Sequence, residues 1–172
     1  SYWIEKYCLN ASYNKLEVDK TEIRDLIQRV RDGRIQGFNV TIPYKKIIID
    51  FVDEIEESAL RSNAVNTVYR VKDKIIGANT DGIGFISSLK KDLSFNINSN
   101  TNVMCIGAGG AAYGIVSSLI DLSPNIIRII NRTKSSGIKL IKHFEKFTQT
   151  KKLFENKLLG FNPKKDVDLL IN

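Results

Sequence analysis

Apolar positions along this chain change spacing several times, and each change marks an element. Trp3, Ile4, Tyr7 and Cys8 fall at helical separations with polar or charged residues between them, which predicts a helix already under way at Ser1. Residues 13–18 read as a short strand. Asp19-x-x-Glu22 then has the form of a capping box, and Ile23, Leu26, Ile27 and Val30 make one apolar stripe that predicts a helix ending at Gly33. Residues 37–41 read as a strand. Pro43 stops it and is expected to open a helix through Ile47, Ile48 and Phe51, with a further short helix over 54–61. Two strand-like runs, 64–71 and 75–79, flank Lys72-Asp73-Lys74 as a hairpin, and a helix is predicted from Asp81 to about Lys91.

The stretch 92–102, rich in Asn, Ser and Asp, interrupts this periodicity, so residues 1–92 and 101–172 are expected to form two domains. Beyond the break come strand 103–106, a glycine turn, helix 111–122, strand 126–131, helix 134–147 and a last strand over 168–171. That order is the first half of a nucleotide-binding βαβα fold. The expected class is α/β, an α/β domain followed by a Rossmann domain.

Composition narrows the function classes. With 172 residues, 42% hydrophobic and 26% charged, the chain can bury a core in one large or two small domains. It contains no run of 18 or more apolar residues and opens with no basic-then-apolar leader, so a cytoplasmic protein without a membrane partner is expected. Cys8 and Cys105 are far apart and outside any C-x-x-C spacing, which suggests neither a disulfide framework nor a metal site. Cys105 is expected to pack as a small hydrophobe in a strand. The net charge of +7 raises nucleic acid as a partner, but residues 1–100 carry 15 basic against 14 acidic groups and residues 101–172 carry 11 against 5. Much of that excess is single lysines at helical spacing (Lys139, Lys142, Lys146), the pattern of a solvated helix face, with His143 among them as an ordinary surface residue. No nucleic-acid partner is therefore expected. A homodimer stays open as an assembly.

Two segments carry candidate chemistry. Gly107-Ala108-Gly109-Gly110-Ala111-Ala112 follows G-x-G-x-x-A between an apolar strand and a helix. Gly107 suits the tight turn, Gly109 admits close approach of a pyrophosphate, and Ala112 allows close helix packing. The helix start then offers unpaired N–H groups to phosphate. At the end of the next strand stands Asn131-Arg132-Thr133-Lys134, with no carboxylate for a ribose hydroxyl; Arg132 can instead grip a 2′-phosphate, which favours NADP over NAD. The bland reading makes Arg132 a surface residue at a helix entry.

In the first half, Lys45 follows a strand and a proline stop, a place from which a side chain can project into a cleft as acid or base. On its own it reads more often as a surface lysine, with Lys46 beside it. Asn66-Thr67 and Asn79-Thr80 repeat one pair at two strand ends, and Asp81 follows the second. Asp81 fits an N-cap as well as a catalytic role, and Asn66 could simply bond a turn.

Taken together, GFNVTIPYK, SNAVNT, GANTDGIG, IGAGGAA and NRT, in this order and over essentially the whole chain, resemble the shikimate dehydrogenase family. The resemblance implies an α/β substrate domain and an NADP-binding Rossmann domain flanking a cleft, with reversible reduction of 3-dehydroshikimate to shikimate in chorismate and aromatic amino-acid biosynthesis. It implies that Lys45 and Asp81 are the catalytic pair and that Thr41 and Asn66 hydrogen-bond the substrate. Gly107, Ala108, Gly109, Gly110 and Ala111 match the diphosphate loop, and Asn131, Arg132 and Thr133 the segment at the adenosine 2′-phosphate. The family commonly has one more basic residue where Ser136 stands, and Lys134 is available in its place. The family also begins with a strand and a serine-containing loop and continues beyond this last strand, so truncation at both ends is expected. The alternatives are a quinate/shikimate dehydrogenase using NAD or NADP, and a non-catalytic cofactor-binding fragment.

Overall fold

A computed structural model describes residues 2–147, 154–155 and 166–172. Two four-stranded sheets organise them. The first has the order β1-β3-β4-β2, formed by β1 (Gly37–Asn39), β2 (Glu54–Ile55), β3 (Thr67–Val71) and β4 (Lys74–Ala78). β3 runs antiparallel to both β1 and β4, and β2 joins β4 in parallel. The β3–β4 hairpin turns at Lys72, whose φ of 55° puts it in the left-handed region. Helix α2 (Ile23–Arg31) buries Ile23, Leu26, Ile27 and Val30, the stripe its spacing predicts. Ile23, Ile27 and Val30 pack with Val40, Ile48, Val65, Val68 and Ile75 into one apolar core. Asp53, just before β2, accepts from Arg31 at 2.9 Å and from the Ile75 N–H at 2.7 Å. These two bonds hold its carboxyl below the ordinary carboxylate range.

The second sheet has the order β7-β6-β5-β8, formed by β5 (Asn102–Ile106), β6 (Ile126–Ile130), β7 (Phe154–Glu155) and β8 (Leu169–Ile171). All its pairings are parallel, and the first strand in sequence lies between the second and the fourth. In a doubly wound sheet that is the point where the winding reverses, and ligands bind off the strand ends there. Helices α5 (Gly110–Asp121) and α6 (Lys134–Glu145) supply Val116, Leu119, Leu140 and Phe144 to a core completed by Val103, Cys105, Ile127 and Ile129. Burial pushes the Cys105 thiol up to about 12. Helices α3 (Glu57–Ser62) and α4 (Asp81–Asp92) both pack against α5, and α1 (Tyr2–Lys6) opens the described chain. Among the described residues no helix is long and apolar enough to cross a membrane.

Three sequence expectations are corrected. Residues 13–18 form no strand: a strand requires a hydrogen-bonded partner, and β1 pairs only with β3. This stretch touches β1 instead through a side chain, Tyr13 donating to Asn39 Oδ1 at 2.9 Å. Pro43 opens no α-helix; it follows a cis bond in a turn, and a 3-10 helix, Ile47–Phe51, comes after it. The helix expected over 54–61 begins only at Glu57, because Glu54 and Ile55 pair with β4. Ser1 lies outside the described residues.

Candidate functional site

Two backbone bonds fix the segment that carries Lys45. The Val40 N–H donates to the Asn66 carbonyl at 2.7 Å, and the Val65 N–H donates to the Lys45 carbonyl at 2.7 Å. The chain after β1 is thereby sewn to the chain before β3. Lys45 Nζ then reaches Asp81 Oδ2 at 2.6 Å across 36 positions of sequence, with side chains 20% and 26% exposed. Both groups remain open to a ligand, yet are shielded enough to strengthen their attraction above its value in bulk water.

Asp81 is the first residue of α4, and Thr80 occupies the N-cap position without a side-chain cap. The carboxylate is therefore directed elsewhere: Oδ2 accepts from Lys45, and Oδ1 accepts from Asn66 Nδ2 at 2.7 Å. Asn66, 7% exposed, also accepts from the Thr80 N–H at 2.9 Å through its side-chain Oδ1. Asn79 was not singled out by sequence reasoning, although its repeat of the Asn-Thr pair was visible. Its Oδ1 accepts from the Asp81 N–H at 3.0 Å and its Nδ2 donates to the Ala64 carbonyl at 2.9 Å. The αL conformation of Asn63, at the end of α3, turns the chain into this region. Thr41 is exposed beside Lys45, and its carbonyl accepts from the Tyr44 N–H at 2.9 Å.

Beyond β5 the glycine turn is as open as the carboxylate cluster is crowded. Gly107 has φ +113°, a conformation that favours glycine, and its N–H donates to the Ile130 carbonyl at 2.7 Å. A Cβ built on Gly107, Gly109 or Gly110 would meet no heavy atom within 4 Å. Space therefore lies over the loop, and Gly109 caps the start of α5, whose first N–H groups have no acceptor within the helix. This is the donor set that a diphosphate suits. At the end of β6 the Asn131 Nδ2 donates to the Thr133 carbonyl at 2.7 Å, closing a turn on which Arg132, Thr133 and Lys134 are exposed. Lys139, Lys142 and Lys146 are exposed as their spacing implies.

His143 departs from the expectation of an ordinary surface residue. It is half-buried, its Nε2 lies 2.7 Å from the Arg61 carbonyl oxygen, and its ring packs against Tyr113 and Phe144. Arg61 itself pairs with Asp121 at 2.8 Å, and Lys46 lies over the Tyr113 ring at 5.0 Å. These contacts tie the first half of the chain to α5 and α6. They bring the Lys45–Asp81 pair and the glycine turn onto one continuous framework.

Residues 1–68 match the family described as the shikimate dehydrogenase substrate binding domain. Over all 172 residues the chain is 40% identical to the NADP(+) shikimate dehydrogenase of Pelagibacter ubique strain HTCC1062. Along its whole length the chain is similar to members of the shikimate dehydrogenase family. It spans 61% of that relative's length. A crystal structure of a shikimate dehydrogenase in complex with NADP+ superposes with a TM-score of 0.84 at 32% identity, covering 98% of this chain and 58% of that one. The ligand-free 5-ketofructose reductase of Gluconobacter sp. strain CHM43 superposes with a TM-score of 0.85 at 31% identity, covering 98% and 60%. The α/β class and the Rossmann character of the second sheet are those of the shikimate dehydrogenase family.

Proposed function

We propose that this chain carries the substrate-holding and cofactor-holding residues of an NADP-dependent shikimate dehydrogenase, which reversibly reduces 3-dehydroshikimate to shikimate. The observation that carries the reading is the Lys45–Asp81 pair at 2.6 Å, held on the same framework as a glycine turn. Residues 1–92 are the substrate half and 101–172 the cofactor half. Gly107, Ala108, Gly109, Gly110 and Ala111 would hold the diphosphate, and Asn131, Arg132, Thr133 and Lys134 the adenosine 2′-phosphate. The nicotinamide, when bound, supplies or accepts the hydride. The Lys45–Asp81 pair exchanges the proton at the substrate oxygen, Asp81 orients the neighbouring hydroxyl, and Asn66 and Thr41 hydrogen-bond the ring. Asn66 holds Asp81 Oδ1 at 2.7 Å, so the carboxylate is oriented before substrate arrives.

The test is turnover by the natural polypeptide that carries these residues, with shikimate or quinate and NADP+ or NAD+, and with 5-ketofructose and NADPH. The highest kcat/KM is expected for shikimate with NADP+. A preference for quinate or NAD+ moves the reading to a quinate/shikimate dehydrogenase. Faster reduction of 5-ketofructose moves it to a reductase of open polyhydroxylated ketones, and binding of NADP+ without any turnover leaves a cofactor-binding protein.

A further inference from the structure

Helices α4 and α5 cross more closely than side chains would permit. A Cβ on Gly82 would fall 2.2 Å from the Gly114 carbonyl oxygen and 2.2 Å from Ser118 Oγ, so the two backbones nearly touch. A Cβ on Gly114 would lie 3.1 Å from Asn79 Oδ1 and 3.2 Å from Asp81 Cβ. Gly82 directly follows Asp81, and Gly114 lies four positions after the start of α5 at Gly110. Four residues of helix rise about 6 Å. Asp81 therefore rests on the same helix that presents the glycine turn, one turn further along it.

We propose that the Gly82–Gly114 crossing is a spacer that sets how far the Lys45–Asp81 pair stands from the cofactor, making Gly114 a positioning residue for hydride transfer. The inference rests on the shikimate dehydrogenase reading above. Its physical basis is an asymmetry of stiffness. Asp81 is held by Lys45 at 2.6 Å, Asn66 at 2.7 Å and, through its N–H, Asn79 at 3.0 Å. The glycine turn has no heavy atom within 4 Å of the position where a Cβ would stand on Gly107, Gly109 or Gly110. A wedge at Gly114 is therefore taken up by the start of α5 while the carboxylate stays in place. Each ligand keeps its own contacts, and only the distance between the two changes. Chemistry between two bound reactants depends steeply on that distance, whereas binding of either alone does not.

The experiment uses Gly114→Ala in the natural polypeptide, where the new methyl needs a few tenths of an ångström. The affinities for NADP+ alone and for shikimate alone are measured by calorimetry, kcat is measured with both, and the primary isotope effect is measured in the reverse reaction, with deuterated NADPH reducing 3-dehydroshikimate. The expected result is each binary affinity within ~2-fold of the parent, kcat lower by on the order of 10-fold, and a larger isotope effect. Ser118→Thr adds one methyl on a side chain of the same seam and is expected to lower kcat about 3-fold with the same pattern; it provides the reading if Gly114→Ala does not fold. Unchanged kcat in a folded variant overturns the inference, as does a parallel loss of both binary affinities, which would mark a merely structural contact. Absence of shikimate turnover in the unsubstituted protein overturns the functional reading, and the inference with it.

Discussion

The carboxylate cluster at Asp81 and the glycine turn at Gly107–Gly110 lie on one framework and are built in opposite ways. At Asp81 each carboxylate oxygen already has a donor, Lys45 on one and Asn66 on the other. At the turn a Cβ on Gly107, Gly109 or Gly110 would meet no heavy atom within 4 Å, and the first N–H groups of α5 have no acceptor within the helix. The first region has its polar partners within the protein, and the second leaves space for a ligand under the proposed reading. Substitutions in the first are therefore expected to change rates, and in the second to change affinities.

Lys45→Ala should have the largest effect. With the ammonium gone, Asp81 keeps its bond from Asn66 but the pair no longer exchanges a proton, so kcat should fall by at least ~100-fold with a smaller change in KM for shikimate. Steady-state kinetics decides the matter: near-normal kcat would make the 2.6 Å pair an element of folding alone. In the cofactor region Arg132→Ala should weaken NADP+ by roughly 10- to 100-fold, the worth of charge-assisted bonds to a phosphate, and leave NAD+ nearly unchanged. Titration of both cofactors reads this directly. Equal losses would move Arg132 to the shared pyrophosphate or to folding, and a larger loss in Lys134→Ala would transfer the role to that lysine. The smallest effect is expected for Gly109→Ala. The residue has φ −83° and no neighbour within 4 Å of a Cβ, so the melting temperature should hold. Both cofactors should weaken equally, by about 10-fold or less, as the methyl enters the diphosphate's space. A fall in melting temperature with affinity unchanged would show that the turn is organised by protein contacts after all, and would erase the contrast with Asp81.

The same contrast explains what could be read from the chain. The glycine turn is a local device, with strand, turn and helix contiguous in sequence, and its placement after β5 matches the spacing that announces it. Each member of the carboxylate cluster was visible separately but equivocal, because 36 positions separate Lys45 from Asp81 and no periodicity joins them. Asp81 in particular suited an N-cap equally well until Thr80 was found in that place. Gly82 and Gly114 carried no announcement, since their roles exist only where α4 meets α5. Residues 13–18 failed in the converse way: they carry the apolar and β-branched residues of a strand, but strand formation depends on a partner, and β1 offers none of its ladder to them. Pro43 has the chemistry of a helix start, yet the backbone bonds that anchor Val40 and Val65 hold this stretch as a turn.

Cys105 lies one residue from the end of β5, opposite Ile129 on one side and Ile171 on the other, and burial pushes its thiol up to about 12. The thiolate is the form that attacks an alkylating reagent, so near neutral pH this buried sulfur is inert while β5 stays covered. Cys8 is exposed and offers no such protection. Native chains should therefore take up an alkylating label in two stages, one immediate and one paced by transient opening of the parallel sheet. The slow stage makes a single sulfur atom a clock for the cofactor half, and a diphosphate-bearing ligand that steadies this sheet should be seen to slow it.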